Sequence, residues 1–264
     1  MTRILTTWDI DPSIPIGCGL LLAAWFIAHR SDLSRGGFFV AGVAVMFVAL
    51  TSPIDTLGDT YLFSAHMLQH MILILIVPLL LIRGLSPRFV RSVIGVSALG
   101  AIERVARRPL VAWLPAMVVL WLWHWPGLFD AALANEDIHI VEHLCFMITA
   151  TIFWWPILCP IESSLMSPLP AVLYLFAGML ATSLLGIAIT FAPVGLYPPY
   201  LHPPDPLGVL TLLRDSWGLT PDVDQELGGL LMWVPGGLVF LTAIFIVMAR
   251  WYRMPEEFSV HAVN

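Results

Sequence analysis

Residues 60–82, TYLFSAHMLQHMILILIVPLLLI, form a run of 23 residues without one charged side chain. A helix crossing the hydrocarbon layer of a bilayer needs about 20 such residues, so the run predicts a transmembrane helix. Its first half is nevertheless polar in places, with His66, Gln69 and His70. Ionisable side chains at membrane depth face the bundle interior and mark function. His66 and His70 are four apart and share one helix face, about 6 Å apart along the axis. Met67 and Met71 make a second i,i+4 pair, displaced by about 100° from the first. Together they describe a metal-handling face buried among helices.

The whole chain has the same character. Its 264 residues are 59% hydrophobic and 11% charged, with a mean hydropathy of +0.88, where a soluble domain carries about 25% charged residues. The expectation is an all-α polytopic membrane protein, one membrane domain over residues 1–264, without a linker or an internal repeat. Nothing in it points to nucleic acid; the bilayer is its first partner. Seven apolar segments fall at about 14–29, 37–52, 60–82, 109–125, 138–158, 169–191 and 227–251, predicting seven transmembrane helices. Pro78, Pro115, Pro156 and Pro235 lie in or near these runs and predict kinks. One arginine, then Asp9, Asp11 and two prolines, precede the first run. That is not a signal-peptide layout, so the first helix is expected to stay as an uncleaved anchor. Cys18, Cys145 and Cys159 form no CxxC pair and read as small buried side chains rather than a disulfide or thiolate framework.

The arginines orient the bundle. Arg30, Arg35, Arg83, Arg88, Arg91, Arg104, Arg107, Arg108, Arg250 and Arg253 fall on one side of a seven-helix arrangement, and only Arg3 and Arg214 on the other. The positive-inside rule makes the first side cytoplasmic, with the N-terminus outside and the C-terminus cytoplasmic. Residues 84–108 read as a basic interfacial segment on the inner leaflet. The opposite side collects Asp9, Asp11, Asp55, Asp59, Asp130, Glu136, Asp137, Asp205, Asp215, Asp222, Asp224 and Glu226. Residues 192–225 form its largest loop, in which LYPPYLHPPDP is expected to be extended. An acidic outer vestibule would concentrate cations.

Six of the eight histidines lie toward that acidic side. His66 and His70 occupy the outer half of the third helix, His124 ends the fourth, His139 and His143 open the fifth, and His202 sits in the loop; His29 and His261 lie inside. Two HxxxH pairs and a fifth histidine at matched depth point to convergence of three helices. Neutral imidazole is the commonest metal-ligating side chain, and Glu142, beside His143, can orient a ligating ring or pair with a charge elsewhere in the bundle. No carboxylate cluster suggests calcium or magnesium. Imidazole suits zinc, copper and iron, and thioether adds a preference for Cu(I), so Met67 and Met71 put copper first. Bis-histidine haem b ligation for electron transfer is one alternative, with bulky Leu68, Ile72, Phe146 and Ile148 near the histidines standing against it. A zinc-dependent intramembrane hydrolase is another, but no HExxH is present. An enzyme is therefore not the expectation.

The stretches HMLQHMILILIVPLLLIRG (66–84), WHWPGLFDAAL (123–133), IHIVEHLCFMITATIFWWPI (138–157), LLGIAITFAPVGLYPPY (184–200) and DQELGGLLMWVPGG (224–237) resemble, in this order, the seven-helix CtaG family of bacterial cytochrome c oxidase assembly proteins. The resemblance runs from the third apolar segment to the seventh; residues 201–216 depart from it by lengthening the external loop. It implies a protein of the bacterial plasma (inner) membrane that matures haem-copper oxidase, delivering copper from the outer side. Its partners would be cytochrome c oxidase subunits or other assembly factors. Its family histidines fall on His66, His70, His124, His139 and His143.

Overall fold

The computed structural model describes residue 4, residues 6–29 and residues 32–253; Arg3, Arg30 and His261 lie outside the described residues. Among these there is no strand, and the regular structure is helical throughout. In chain order come α1 (Ser13–His29), α2 (Gly36–Thr51), α3 (Pro53–Thr60) and α4 (Phe63–Met71). A π-helical turn (Ile72–Ile76) joins α4 to α5 (Val77–Arg83). Then follow α6 (Pro87–Ile94), α7 (Ser97–Ala106), α8 (Pro109–Trp123), α9 (Pro126–Ala134), α10 (Glu136–Leu158), α11 (Pro168–Thr190) and α12 (Pro221–Tyr252).

Each of the seven apolar segments is helical over most of its length. Four helical stretches are long and apolar enough to cross a membrane: Phe63–Arg83, Glu136–Leu158, Pro168–Thr190 and Pro221–Tyr252. The number rises to six if α2 with α3 and α7 with α8 each count as one span, bent by 43° and 68°. The apolar α1, at 17 residues, is shorter. Large apolar side chains such as Ile27, Leu110, Val118, Leu173 and Phe245 stand exposed around the bundle, the surface that a bilayer covers.

Proline punctuates the chain. A residue before proline is pushed to extended backbone, while proline itself suits the first helical position. Ser52, Ser86, Arg108, Trp125, Ser167 and Thr220 are all extended, and the next residue opens a helix. Pro78 acts differently. Inside a helix it lacks an N–H and its ring collides with the carbonyl four residues back. The widened turn just before it, in which Val77 N–H reaches Ile72 O, absorbs that collision. The segment 60–82 is therefore two short helices joined by a bulge, and it starts at Phe63.

Three other expectations change in detail. The segment 84–108 holds two helices, α6 and α7, because the chain is extended at Val96 after Gly95 caps α6. LYPPYLHPPDP is not wholly extended: Pro198–Tyr200 is a 3-10 turn, and both tyrosines of the stretch are buried. A helix not expected from the sequence, α9, occupies the connection after His124.

The core lies between α8, α10, α11 and α12, where Phe153 stacks on Tyr174 at 4.7 Å and Trp154 stacks on Phe240 at 5.5 Å. Tyr174 buries its hydroxyl by donating to Phe153 O at 2.8 Å. Helices α11 and α12 meet backbone to backbone at Gly186 and Gly229. A β-carbon on Gly229 would lie 2.7 Å from Gly186 O, and one on Gly186 would lie 2.8 Å from Gly229 O. Small residues permit this approach between membrane helices.

Candidate metal centre

Helix α4 carries His66 and His70, and two other elements fix its start. Its N-cap, Leu62, offers no side-chain acceptor, so the first N–H groups need one from elsewhere. Asp224, in the first turn of α12, accepts from Phe63 N at 2.7 Å, from Ser64 N at 3.0 Å and from the Ser64 hydroxyl. Helix α3 lies against α4 through Gly58, where a β-carbon would sit 2.9 Å from both His66 Cα and His66 N. Gln69 Nε2 donates to Ala49 O at 3.0 Å and to Asp55 Oδ1 at 2.6 Å, tying α4 to α2 and α3.

That close approach brings Asp59 to the histidines. Its Oδ1 is 3.5 Å from His66 Nδ1, and its Oδ2 is 3.6 Å from His139 Nδ1. The His66 and His139 rings stack with centroids 5.2 Å apart. His70 lies 4.2 Å from His66, 5.3 Å from His143 and 6.1 Å from His124, ring to ring, and His139 lies 4.2 Å from His143. The structure thus brings His66, His70, His124, His139 and His143 together from α4, the end of α8, and α10. His202 is exposed in the loop and His29 stacks on Trp25, each outside this group.

Within the group, His66, His70, His139 and Glu142 each offer one ligand atom, all within 4.8 Å of one another, and all four residues are buried. His70 Nε2 is 3.9 Å from Glu142 Oε1. Glu142 therefore lies within the group of donor atoms as well as beside His143, and Asp59 faces Nδ1 of both His66 and His139. Both nitrogens of His66 and His70, Nε2 of His139 and His143, and both oxygens of Glu142 have no hydrogen-bond partner among the described residues. Buried polar atoms are nearly always paired, so a cluster of orphans this dense fits a metal ion in character: imidazole and carboxylate donors around a common point. His124 is fixed differently. Its Nδ1 lies 2.7 Å from Leu120 O; a carbonyl only accepts, so Nδ1 carries the proton and the buried, unpaired Nε2 is left as a ligand atom.

The methionines face elsewhere. Met67 Cγ would lie 3.3 Å from a β-carbon on Gly228, and Met71 Cε would lie 2.9 Å from one on Gly236. Both side chains pack against α12, as their 100° offset from the histidine face requires. The residues that the structure gathers with His66, His70 and His139 thus include Glu142 rather than either methionine.

A cleft of about 580 Å³ leads to the site. It is lined by Asp9, Asp11, Asp55, Asp59 and Glu136 at its polar positions, and reaches His139, His143 and Met147. Hydrogen bonds from the side chain and backbone of Ser13 hold Asp11 below the ordinary carboxylate value, so it is ionised. Aromatic rings close the other sides. Phe129, from α9, lies 5.1 Å from His66, and Phe146 lies 4.8 Å from His70. Tyr197 donates to His124 O at 2.9 Å and Tyr200 to Gly58 O at 2.7 Å, so the loop after α11 clamps both sides of the centre. Gln225 anchors that loop by accepting from Gly195 N and Leu196 N, each at 3.1 Å.

The fold and this site define a multi-pass helical membrane protein with a buried histidine–carboxylate cluster near one end of the bundle. A family model described as cytochrome c oxidase caa3 assembly factor (Caa3_CtaG) matches residues 19–254, and the chain belongs to that family. Uncharacterized proteins of Mycobacterium leprae and Mycobacterium bovis are each 23% identical to it over 287 residues. The alignments cover 98% and 97% of this chain but 42% and 41% of those relatives, so the chain spans about two fifths of their length. No solved structure matches.

Proposed function

We propose that this protein serves cytochrome c oxidase assembly by holding copper at His66, His70, His139 and Glu142 and passing it to the oxidase. The observation behind this reading is the set of buried, unpartnered ligand atoms within 4.8 Å of one another. Three imidazoles and a carboxylate are a donor set that Cu(II) accepts readily, and the methionine packing on α12 removes the reason to favour Cu(I). Copper is cargo here, and the role is transfer rather than catalysis.

The same reading places seven helices across a bacterial plasma membrane, with the arginine-rich end cytoplasmic by the positive-inside rule and the histidine end outside. Copper would enter along the acidic cleft, drawn by its carboxylates. His143 and His124, each with a free Nε2, lie beside the cluster as exchange ligands for handing the ion on. Oxidase subunits or companion assembly factors would receive it. Haem is disfavoured by Phe146 and Phe129, which pack on the imidazoles where a porphyrin needs room.

The test is metal analysis with an optical spectrum of the detergent-purified protein and of a His66→Ala/His70→Ala/His139→Ala variant. Copper in the parent and not in the folded variant supports the reading. Zinc alone, a haem spectrum, or equal copper in both removes it.

A further inference from the structure

At the opposite end of the bundle three arginines from separate elements rim one lateral groove. They are Arg35 just before α2, Arg83 at the end of α5 and Arg250 in the last turn of α12. The groove has a volume of about 700 Å³, within the range of roughly 300–1,000 Å³ that small-molecule sites occupy. Its walls are apolar, formed by Ile76, Leu79, Trp154, Leu238, Val239 and Ile246, and no acidic residue lines it. Among the described residues no ion pair involves any of the three arginines.

We propose that this groove holds one anionic phospholipid, its phosphate gripped by the arginines and an acyl chain laid along the wall. Charge complementarity carries the assignment. Guanidinium groups recognise phosphate through paired hydrogen bonds, and a zwitterionic headgroup would bring its ammonium against three cations. Length agrees: from Leu238 to Arg250 the α12 wall rises about 18 Å, close to the roughly 15 Å of one hydrocarbon leaflet. The arginines therefore stand at headgroup depth while the walls run toward the midplane. The site is distant from the metal centre, since His66 and Arg83 lie at opposite ends of the same span, about 26 Å apart along the axis. It is independent of the copper reading.

The experiment is native mass spectrometry of the full chain in detergent, titrated with phosphatidylglycerol and with phosphatidylcholine. The parent should retain one phosphatidylglycerol about tenfold or more in preference to phosphatidylcholine. Arg83→Gln/Arg250→Gln should abolish that preference. Ala243→Trp fills the groove with the arginines intact, and should also expel the lipid. Arg88→Gln/Arg91→Gln, on α6, should leave retention unchanged. Equal retention of the two lipids by the parent, or an equal loss in the α6 variant, would overturn the site in favour of diffuse surface attraction. Displacement of the lipid by inorganic phosphate alone would overturn it in favour of a free-phosphate site. Retention of the lipid by Ala243→Trp would show that the groove is not where the chain lies.

Discussion

His70 Nε2 and Glu142 Oε1 stand 3.9 Å apart, too far for a hydrogen bond, and neither atom has another partner among the described residues. Bonds of about 2.0–2.2 Å to a shared ion at the tetrahedral angle would place two ligands ~3.3–3.6 Å apart. Under the proposed reading the two atoms would close by a few tenths of an ångström to share one ion. Replacing Glu142 by Gln keeps the volume and removes the negative ligand without breaking a hydrogen bond. Copper affinity, measured by competition with a chelator, should fall at least ~10-fold, while the thermal midpoint of the metal-free protein should not fall. Unchanged affinity would remove Glu142 from the ligand set.

Asp59 faces Nδ1 of both His66 and His139. A carboxylate in that place fixes ring orientation and raises ligand basicity, and losing such a partner typically costs 10–100-fold in metal affinity. Asp59→Asn should weaken copper binding by roughly that factor with helical content unchanged by circular dichroism. Full affinity in the variant would leave Asp59 as a cleft residue only.

Gly58 should be as important as Asp59, for a steric reason. A methyl group there would press on the His66 backbone from 2.9 Å, and overpacking of this kind costs about 1–3 kcal/mol. Helix α3 would have to move away and carry Asp59 with it. Gly58→Ala is expected to lower the thermal midpoint and also copper affinity, whereas Gly37→Ala, with open space at its β-carbon, should do neither. A stable Gly58→Ala protein with normal affinity would contradict the close packing.

Asp224 caps α4 from a helix 160 residues further along the chain. Asp224→Ala would leave the Phe63 and Ser64 N–H groups without their acceptor, at a cost of about 1.5–3 kcal/mol for charge-assisted bonds. Asp224→Asn keeps an oxygen acceptor and should retain much of that stability. Thermal unfolding of the two variants in detergent checks the order; equal stability would mean the cap contributes nothing.

The sequence shows the helices and the histidine pairs because both have local periods. Seven apolar runs become helices, and His66/His70 and His139/His143 share faces through i,i+4 spacing alone. Convergence of those faces follows from matched depth. The partners that arrange the site have no local signature. Asp59 lies across the irregular step at Tyr61–Leu62 from the helix it serves, and Asp224 belongs to a distant helix. Tyr197 and Tyr200 sit in a proline-rich stretch that reads as extended loop, with nothing local to say that both are buried. Glu142 was visible, three residues after His139 and on the same face, but periodicity does not say whether a carboxylate binds an ion or steadies a ligand. The offset of about 100° of Met67 and Met71 from the histidine face is legible in the sequence, but that the offset face meets α12 is not.

If these buried donors hold copper, the copper content of the purified protein must depend on them. Purified protein loaded with copper, then stripped of loosely bound ion, should carry a stoichiometric amount that is absent from the folded His66→Ala/His70→Ala/His139→Ala variant. No retained copper after loading under either oxidising or reducing conditions, or the same amount in the variant, would mean that these residues do not hold the ion.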